Sequence, residues 1–306
     1  MFVADQYQLL DFGDGRRLER FGPITLDRPC PAAEHFARSD RQLWQHADAR
    51  FDGRNEEQGQ WSYYRELPER WTVAYGPLQF ELKRTEFGHL GLFPEQAENW
   101  DWIARVMSPL ASGKGRGEGD SESLALLKVL NLFAYTGGST MAAAASGAEV
   151  THVDAAKNVV AWARRNAELS GLANAPIRWI AEDAIKFVKR ELKRGNRYNA
   201  VIFDPPSYGH GPRGEVWRLS THLPQLLSMC NELTNGRPTF MLLTCHTPGY
   251  DSTTLTDMMR EVFGDEGVFV SRPLTIHSAA GNQLPSGVVV RWQPRTPNLQ
   301  SLTTDP

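Results

Sequence analysis

Cysteine is scarce in this chain, and its three copies are far apart. Cys30, Cys230 and Cys245 are odd in number and show no short repeated spacing, which is not the pattern of a disulfide framework or a zinc cluster. No apolar run approaches the length of a membrane span, and no charged segment followed by an apolar one opens the chain. These absences predict a cytoplasmic protein without a membrane segment or a bound metal.

Neither sign of charge is in large excess. The formal net charge of the 306 residues is −3, which excludes a uniformly basic coat, so any contact with RNA must come from local patches. One such patch is a basic helix face and turn, which we interpret as solvated surface with nucleic-acid contact as the alternative. Its members are Lys186, Lys189, Arg190, Lys193, Arg194 and Arg197.

A strand, a glycine turn and a helix start follow one another between residues 128 and 145. The apolar run from Lys128 to Phe133 leads into a turn ending at Gly137 and Gly138. Two later apolar strands stop at Asp154 and at Asp204. In open parallel α/β sheets the ligand lies outside the carboxyl ends of the strands, so these three ends predict a pocket for a nucleoside-bearing cofactor.

The spacing of the glycines indicates which cofactor. An acidic residue after the second strand, here Asp154, accepts hydrogen bonds from ribose hydroxyls in dinucleotide folds as well, so it does not separate NAD from S-adenosylmethionine. A dinucleotide fingerprint needs G-x-G-x-x-G, whereas the turn from Ala134 supplies only Gly137 and Gly138. The spacing therefore favours a cofactor without a pyrophosphate.

Four segments, in their order and spacing, resemble the class I S-adenosylmethionine-dependent methyltransferases. The branch they resemble contains large-subunit ribosomal RNA methyltransferases, some acting on cytosine C5 and some on guanine N7. The resemblance covers residues 87–292 and implies a doubly wound sheet of seven strands. The segments are Asn131-Leu-Phe-Ala-Tyr-Thr-Gly-Gly138, Asp154, Glu182-Asp183-Ala184 and Asp204-Pro-Pro-Ser207.

An upstream segment is similar to the part of this family that folds over the cofactor. It runs from Phe87 to Gln96 and continues in Asn99-Trp100. The chain departs from the family pattern at residues 94–96 and at Trp100, where an arginine is common. The resemblance implies S-adenosylmethionine contacts by Phe93, Glu95, Gln96, Asn131, Phe133, Tyr135, Thr136, Gly137, Gly138, Asp154, Ala155, Asp183, Ala184 and Asp204.

Methyl transfer from a sulfonium is an in-line displacement, so the protein mainly positions donor and acceptor and excludes water. Asp204, Pro205 and Pro206 suit this role, because the prolines fix the backbone and leave carbonyls for a base edge. The alternative is an ordinary turn at a strand end. Likewise, Asp183 could accept from adenine or simply cap a helix.

Cys245 follows a predicted strand over residues 239–244. In the cytosine-C5 enzymes of the family, a cysteine at the corresponding strand end attacks C6 of the base as a thiolate. A buried structural cysteine is the alternative. His246 is not expected to face the thiol, because neighbours on a strand point to opposite sides.

The loop from Tyr208 to Arg218 follows the predicted acceptor turn. Arg213, Trp217 and Arg218 could bind a phosphate or stack a base, or the loop could simply be solvated. Both interpretations stay open.

Composition and turn signals predict three regions. Residues 1–85 read as a small β-rich domain that helps to hold substrate, with a hairpin around Gly13-Asp14-Gly15 and a short helix capped by Ser39. Residues 86–123 comprise the cofactor-covering segment and a glycine-rich linker that carries Lys114 and Arg116. Residues 124–306 form the α/β catalytic domain, closed by an antiparallel strand pair.

These observations predict an S-adenosylmethionine-dependent methyltransferase of RNA, most naturally ribosomal RNA. The alternatives are a methyltransferase for a small molecule or protein, an NAD-dependent oxidoreductase, and a binding module without catalysis. The sequence is compatible with a homo-oligomer and does not decide the modified nucleotide.

Overall fold

The computed structural model describes residues 2–53, 58–111, 126–210, 214 and 216–295. The chain divides into two compact units. The first comprises residues 1–98, 165–171 and 274–286, and the second comprises residues 99–164, 172–273 and 287–306. The predicted glycine-rich linker, with Lys114 and Arg116, lies outside the described residues.

The first unit contains a five-stranded sheet of order β1-β2-β3-β4-β5 and a separate hairpin of β6 and β7. Neighbours in the larger sheet are antiparallel, except for the parallel pair β3 and β4. The strands are β1 (Tyr7–Gly13), β2 (Arg16–Phe21), β3 (Ile24–Pro29), β4 (Ala49–Asp52), β5 (Gln60–Tyr63), β6 (Arg70–Tyr75) and β7 (Leu78–Lys83). The predicted β-rich character is confirmed, although the sequence patterns did not indicate β3 or β4.

Local turn chemistry explains one success and one failure in this unit. The predicted hairpin joins β1 to β2, where Asp14 and Gly15 have φ angles of 52° and 70°, the left-handed pair that a two-residue hairpin turn requires. The predicted helix at Ser39 is wrong. The Ser39 amide instead donates to the buried carboxylate of Asp11 at 3.1 Å, and only a 3-10 turn forms, over Leu43–His46.

A segment of residues 165–171 belongs to the first unit although it ends a helix. The Asn166 side-chain oxygen accepts from the Glu81 amide at 2.9 Å, and the Ser170 hydroxyl accepts from the Gln79 amide at 2.8 Å. These bonds satisfy backbone donors of β7. The discontinuity comes from such long-range bonds, which no local pattern indicates.

The second unit is built on a seven-stranded sheet of order β10-β9-β8-β11-β14-β16-β15. The first five strands are parallel, and β16 runs antiparallel to β14. The strands are β8 (Lys128–Leu132), β9 (Glu149–Asp154), β10 (Ile177–Ala181), β11 (Ala200–Phe203), β12 (Tyr208–His210), β13 (Val216–Arg218), β14 (Phe240–Cys245), β15 (Gly267–His277) and β16 (Gln283–Pro294). The predicted doubly wound sheet of seven strands is confirmed, and β12 and β13 form a separate hairpin.

Within the described ranges, six α-helices precede or connect these strands. Asp183 caps α4 by accepting from the Lys186 amide at 2.9 Å, as its position before an apolar run predicts. Central strands such as β11 and β14 are buried throughout, which is typical of a parallel sheet covered on both faces. The helices are α1 (Ala97–Ala111), α2 (Gly138–Ala145), α3 (Lys157–Leu169), α4 (Ala184–Lys193), α5 (Leu219–Leu233) and α6 (Ser252–Phe263).

Candidate active site

Strand register aligns four strand ends at one edge of the sheet in the second unit. Leu132 of β8 pairs with Val153 of β9 and with Phe203 of β11, and Phe203 pairs in turn with Leu243 of β14. The next residues along these strands therefore lie side by side at this edge of the sheet. They are Phe133, Asp154, Asp204 and Thr244.

The turn after β8 has an uncommon backbone. Phe133 and Tyr135 have φ angles of 55° and 47°, and Gly137 has a φ of 89°. Positive φ is rare for aromatic residues and costs about 1–3 kcal/mol where it occurs, so surrounding bonds must hold it. The Ala134 amide donates to the Val153 carbonyl at 3.0 Å, and the Gly137 amide to the Ala134 carbonyl at 3.0 Å. Such strain concentrates at ligand-binding sites.

The two glycines of this turn have different reasons to lack a side chain. Gly137 is the N-cap of α2 in a left-handed conformation, which favours glycine. At Gly138 a Cβ atom would lie 2.5 Å from Cζ2 of Trp100. Trp100 is buried, so its ring fixes the start of α2. Trp100 is thus a structural residue that the sequence patterns did not identify.

Asp154 joins the turn after β8 to the end of β9. Its carboxylate accepts from the Tyr135 amide at 2.9 Å and from the Ala156 amide at 3.0 Å. Burial raises the pKa of Asp154, and the two amide bonds oppose that shift. Each carboxylate oxygen keeps a second lone pair. The residue can therefore still accept from ribose hydroxyls while it orders the turn.

The next strand end supplies Asp183 and Ala184. Asp183 gives one oxygen to the α4 cap, and its second oxygen has acceptor capacity for an adenine amino group. Ala184 is buried in the core beneath. Ala155, which follows Asp154, is half-buried. Their cofactor contacts stay predictions.

Asn131 and Thr136 are predicted cofactor residues that the structure buries. The Asn131 side chain donates to the Thr140 hydroxyl at 2.9 Å, and that hydroxyl lies 2.9 Å from Nδ1 of His152. Asn131, Thr140 and His152 are almost fully buried. These hydrogen bonds are enough to explain why an asparagine occupies position 131, because a buried side-chain amide needs partners. No ligand is required to explain it.

Phe93, Glu95 and Gln96 belong to the first unit, whereas the other predicted cofactor residues belong to the second. Phe93 precedes a 3-10 turn over Pro94–Gln96, and Glu95 and Gln96 are buried. The ring of Phe93 lies 5.7 Å from that of His89. Their predicted role stays open.

Asp204 is held by two residues of β14 and the loop after it. The Thr244 hydroxyl donates to Asp204 Oδ1 at 2.6 Å, and His246 Nε2 lies 3.4 Å from the same oxygen. Residues two apart on a strand share a face, which explains why both meet the carboxylate. As expected from that alternation, His246 is directed to Asp204, and Cys245 between them belongs to the core cluster.

Trp217 connects the turn after β11 to the turn after β8. Its indole nitrogen donates to the Pro206 carbonyl at 2.7 Å, and its ring centroid lies 4.8 Å from that of Phe133. The Pro206 carbonyl therefore already has one partner within the protein, and a contact of its second lone pair with substrate stays a prediction. Trp217 is only 4% exposed, so the suggested stacking on a base is wrong.

The rest of the loop after Ser207 is only partly described. Arg213 lies outside the described residues. Arg218 is exposed and precedes α5. Its backbone amide donates a hydrogen bond to Nδ1 of His222 at 2.9 Å. Ser207 is tied to the end of β14 through the Thr247 hydroxyl at 2.7 Å. A substrate contact by Arg218 stays a prediction.

Cys245 is the last residue of β14 and is 1% exposed. Burial raises the pKa of its thiol, and the nearby charge of Asp204 acts in the same direction. Hydrogen bonds from the amide and hydroxyl of Thr247 lower that pKa but do not outweigh burial. The thiol form is therefore favoured, which weakens the case for a nucleophile.

The site fits S-adenosylmethionine by the chemistry of its acceptors. Two carboxylates with remaining acceptor capacity lie at the ends of adjacent strands, Asp154 at the end of β9 and Asp183 after β10. An acidic residue at the end of the second strand suits a ribose, and a second acceptor nearby suits an amino group. Among the described residues, no group of three or more histidine, cysteine or acidic side chains could hold a metal ion. No helix in the described ranges is long and apolar enough to cross a membrane.

This fold and site define a class I methyltransferase, and comparison of the chain with known proteins supports that assignment. A family model for S-adenosylmethionine-dependent methyltransferases matches residues 114–248. The crystal structure of an S-adenosylmethionine-dependent methyltransferase from Agrobacterium tumefaciens is 37% identical, with a TM-score of 0.84 over 95% of this chain and 91% of that one. The chain therefore belongs to the S-adenosylmethionine-dependent methyltransferases, and S-adenosylmethionine is its cofactor.

Further relatives match this chain over different shares of its length. SMU.776, solved in complex with S-adenosylhomocysteine, is 18% identical with a TM-score of 0.68 over 94% of this chain and 75% of its own, which shows the fold alone. Ribosomal RNA large subunit methyltransferase K/L of Shewanella baltica is 30% identical over 64% of this chain. Ribosomal RNA large subunit methyltransferase I of Aeromonas hydrophila is 37% identical over 26% of this chain. The matches span only 26% and 21% of those two curated relatives.

Proposed function

We propose that this protein methylates a nitrogen of a base in RNA, with ribosomal RNA as the first substrate to test. The observation that carries the proposal is the Asp204 carboxylate, fixed by Thr244 and His246 beside the turn that follows β8. The names of the curated relatives support RNA as the substrate class. S-adenosylmethionine supplies a methyl group on a sulfonium. When a nitrogen lone pair attacks that methyl carbon, the C–S bond breaks and S-adenosylhomocysteine leaves.

The residues around Asp204 act by positioning. A carboxylate held at one oxygen by Thr244 can accept an N–H of an amino group with its other oxygen, which directs the nitrogen lone pair. Pro205 and Pro206 restrict the backbone, and Trp217 fixes the Pro206 carbonyl. A rigid turn is what an in-line displacement needs, because effective molarity falls steeply when the reacting atoms are misplaced.

Methylation of cytosine C5 through Cys245 is the second candidate. The hydrogen bonds from Thr247 to its sulfur favour it, since they stabilise a thiolate. Burial of the thiol opposes it and has the larger effect on its pKa. The nitrogen acceptor is therefore the primary proposal.

Two minor elements complete the proposal. The enzyme acts in the cytoplasm, which agrees with three cysteines that are all buried and free. The β-rich first unit helps to hold the RNA. Because the net charge of the chain is low, further RNA contacts come from local basic patches.

The test is transfer of tritium from labelled S-adenosylmethionine to RNA of a strain that lacks the gene. We expect label in one nucleoside of ribosomal RNA, identified by mass spectrometry as an N-methyl purine or N-methyl cytosine. Asp204→Asn is expected to lower kcat by at least tenfold, while the affinity for S-adenosylhomocysteine stays within about twofold. Label found only in protein or small metabolites would contradict the RNA substrate, and 5-methylcytosine would favour the second candidate.

A further inference from the structure

A concave pocket of about 640 Å³ lies within the second unit, away from the carboxyl ends of the parallel strands. It is formed where β8, β11 and β14 begin, which is the opposite edge of the sheet from Asp154 and Asp204. At about 3.3 Å per residue, the five residues of β8 separate the two edges by roughly 16 Å. The lining residues are Lys128, Arg197, Tyr198, Asn199, Thr234, Asn235 and Arg237.

The charge of this pocket is of one sign. Lys128, Arg197 and Arg237 are exposed cations, and none of the seven lining residues carries a carboxylate. Among the described residues, none of these three cations forms a salt bridge, whereas arginines such as Arg190 and Arg260 on the same unit do. Cations that line one pocket repel one another, and an anion bound between them removes that repulsion.

The guanidinium group of Arg197 is held in place by hydrogen bonds. Arg197 Nε donates to the side-chain oxygen of Asn235 at 2.6 Å, and its Nη1 donates to the Asn196 carbonyl at 2.9 Å. Asn235 itself has a positive φ of 53°. The guanidinium is thus oriented at its Nε side, and its Nη2 makes no hydrogen bond to any described residue. A planar fork held on one side is suited to an oxyanion on the other.

Asn199 fixes the third side of the pocket. The Asn199 side-chain oxygen accepts from the backbone amide of Lys128 at 2.8 Å, and the backbone amide of Asn199 donates to the Lys128 carbonyl at 2.8 Å. The Thr239 amide donates to the Asn199 carbonyl at 2.7 Å. The backbone at the starts of three strands is therefore fixed, and this backbone carries Lys128 into the same pocket as Arg197 and Arg237.

We propose that this pocket is a second binding site, which takes a phosphate group of the RNA that the enzyme methylates. Each phosphodiester of RNA carries one negative charge and two non-bridging acceptor oxygens, which suit the fork of a guanidinium group and the point charge of an ammonium. The assignment of the phosphate to RNA rests on the proposed function, whereas the phosphate chemistry of the pocket does not. The site would hold RNA to the enzyme at a point remote from the methylated base.

The test compares two double variants with equal loss of charge. Lys128→Gln with Arg237→Gln empties the pocket of two cations that make no side-chain hydrogen bond to a described residue, so the fold should persist. Lys189→Gln with Lys193→Gln removes two exposed cations of α4 outside the pocket. The probes are inorganic pyrophosphate, followed by calorimetry, and a labelled fragment of large-subunit ribosomal RNA, followed by anisotropy over a range of salt concentrations.

We expect the pocket variant to lose pyrophosphate binding and to weaken RNA binding by at least tenfold. Its plot of log affinity against log salt should become less steep by about 0.7 for each RNA phosphate that the variant no longer neutralises. The α4 variant should keep pyrophosphate binding and most of the RNA affinity. Equal losses in both variants, or pyrophosphate binding unchanged in the pocket variant, would overturn the proposal.

The two proposals fail in different ways. If pyrophosphate binding depends on the pocket but RNA binding does not, a phosphate site is supported and its assignment to RNA is overturned. If the wild-type enzyme labels no RNA in the tritium assay, the proposed function fails, and the pyrophosphate measurement still decides the chemistry of the pocket. If thermal unfolding shows that the pocket variant does not fold, the single variant Arg237→Gln is measured with the same probes.

Discussion

The indole nitrogen of Trp217 donates a hydrogen bond to the carbonyl oxygen of Pro206 at 2.7 Å. The same ring packs on Phe133, whose φ of 55° marks the strained turn after β8. One buried side chain therefore sets the distance between the turn assigned to the cofactor and the turn assigned to the methyl acceptor. This contact leads to the first prediction.

Trp217→Phe keeps an aromatic ring but removes the donor. The net contribution of such a bond is about 1 kcal/mol, so we expect kcat to fall about fivefold, since about 1.36 kcal/mol is tenfold in rate. Calorimetry should show unchanged affinity for S-adenosylhomocysteine. Trp71→Phe is the control, because its indole donates to the Phe21 carbonyl at 3.1 Å in the first unit. An equal loss of kcat in both variants would remove the special role of Trp217.

Gly138→Ala should destabilise the protein by about 1–3 kcal/mol, the usual cost of overpacking. The added methyl group would lie 2.5 Å from Cζ2 of Trp100. Trp100→Phe frees space there, so the double variant should be more stable than the sum of the single effects predicts. Urea unfolding of the four proteins measures this coupling, and simple additivity would contradict the packing argument.

Asp154→Asn replaces a carboxylate oxygen by an amide nitrogen that cannot accept a hydrogen bond. The Tyr135 or the Ala156 amide then loses its partner, which costs about 1–3 kcal/mol. We expect at least tenfold weaker binding of S-adenosylhomocysteine together with a lower melting temperature. Asp251→Ala, which removes the acceptor at the cap of α6, is the control, and it should lower stability while leaving cofactor affinity intact. Unchanged affinity in the Asp154 variant would exclude its role as the ribose acceptor.

Cys245→Ala should keep methyl transfer within about threefold if the acceptor is a nitrogen. The buried thiol has a raised pKa, so it contributes packing rather than a thiolate. Cys230→Ala is the matched control, because Cys230 is also fully buried and burial raises its thiol pKa strongly. A loss of transfer beyond a thousandfold in the Cys245 variant alone would establish the thiolate mechanism on cytosine instead.

The buried His152 makes the free energy of unfolding depend on pH. Burial lowers the pKa of His152 from its ordinary 6.5 to about 3, so the unfolded chain binds one more proton between these values. Its contribution to stability is complete above pH 6.5 and is lost as the pH falls toward 3, at up to about 1.4 kcal/mol per pH unit. Denaturant unfolding at several pH values checks this. His152→Gln should flatten the dependence, whereas His35→Gln, at an exposed position, should not.

Local patterns were sufficient where the backbone itself carries the signal. The glycine turn after β8, the Asp183 cap and the apolar strands β8 and β14 all lie within two residues of their predicted positions. Such features depend on neighbours in sequence, because turn angles, caps and strand alternation are set within a few residues. The failed helix at Ser39 shows the limit, since the long-range bond to Asp11 outweighs the local cap signal.

The amino-acid sequence by itself determined the order of strands and helices, the glycine turn and the acidic strand ends that mark an S-adenosylmethionine site. The tertiary structure decided what those residues touch. It buried Cys245 and Trp217, directed His246 to Asp204, and brought Lys128, Arg197 and Arg237 into one pocket. Residues far apart in the chain meet only when the sheet assembles, and burial, which sets the thiol pKa and the freedom of an indole, exists only after that packing is complete.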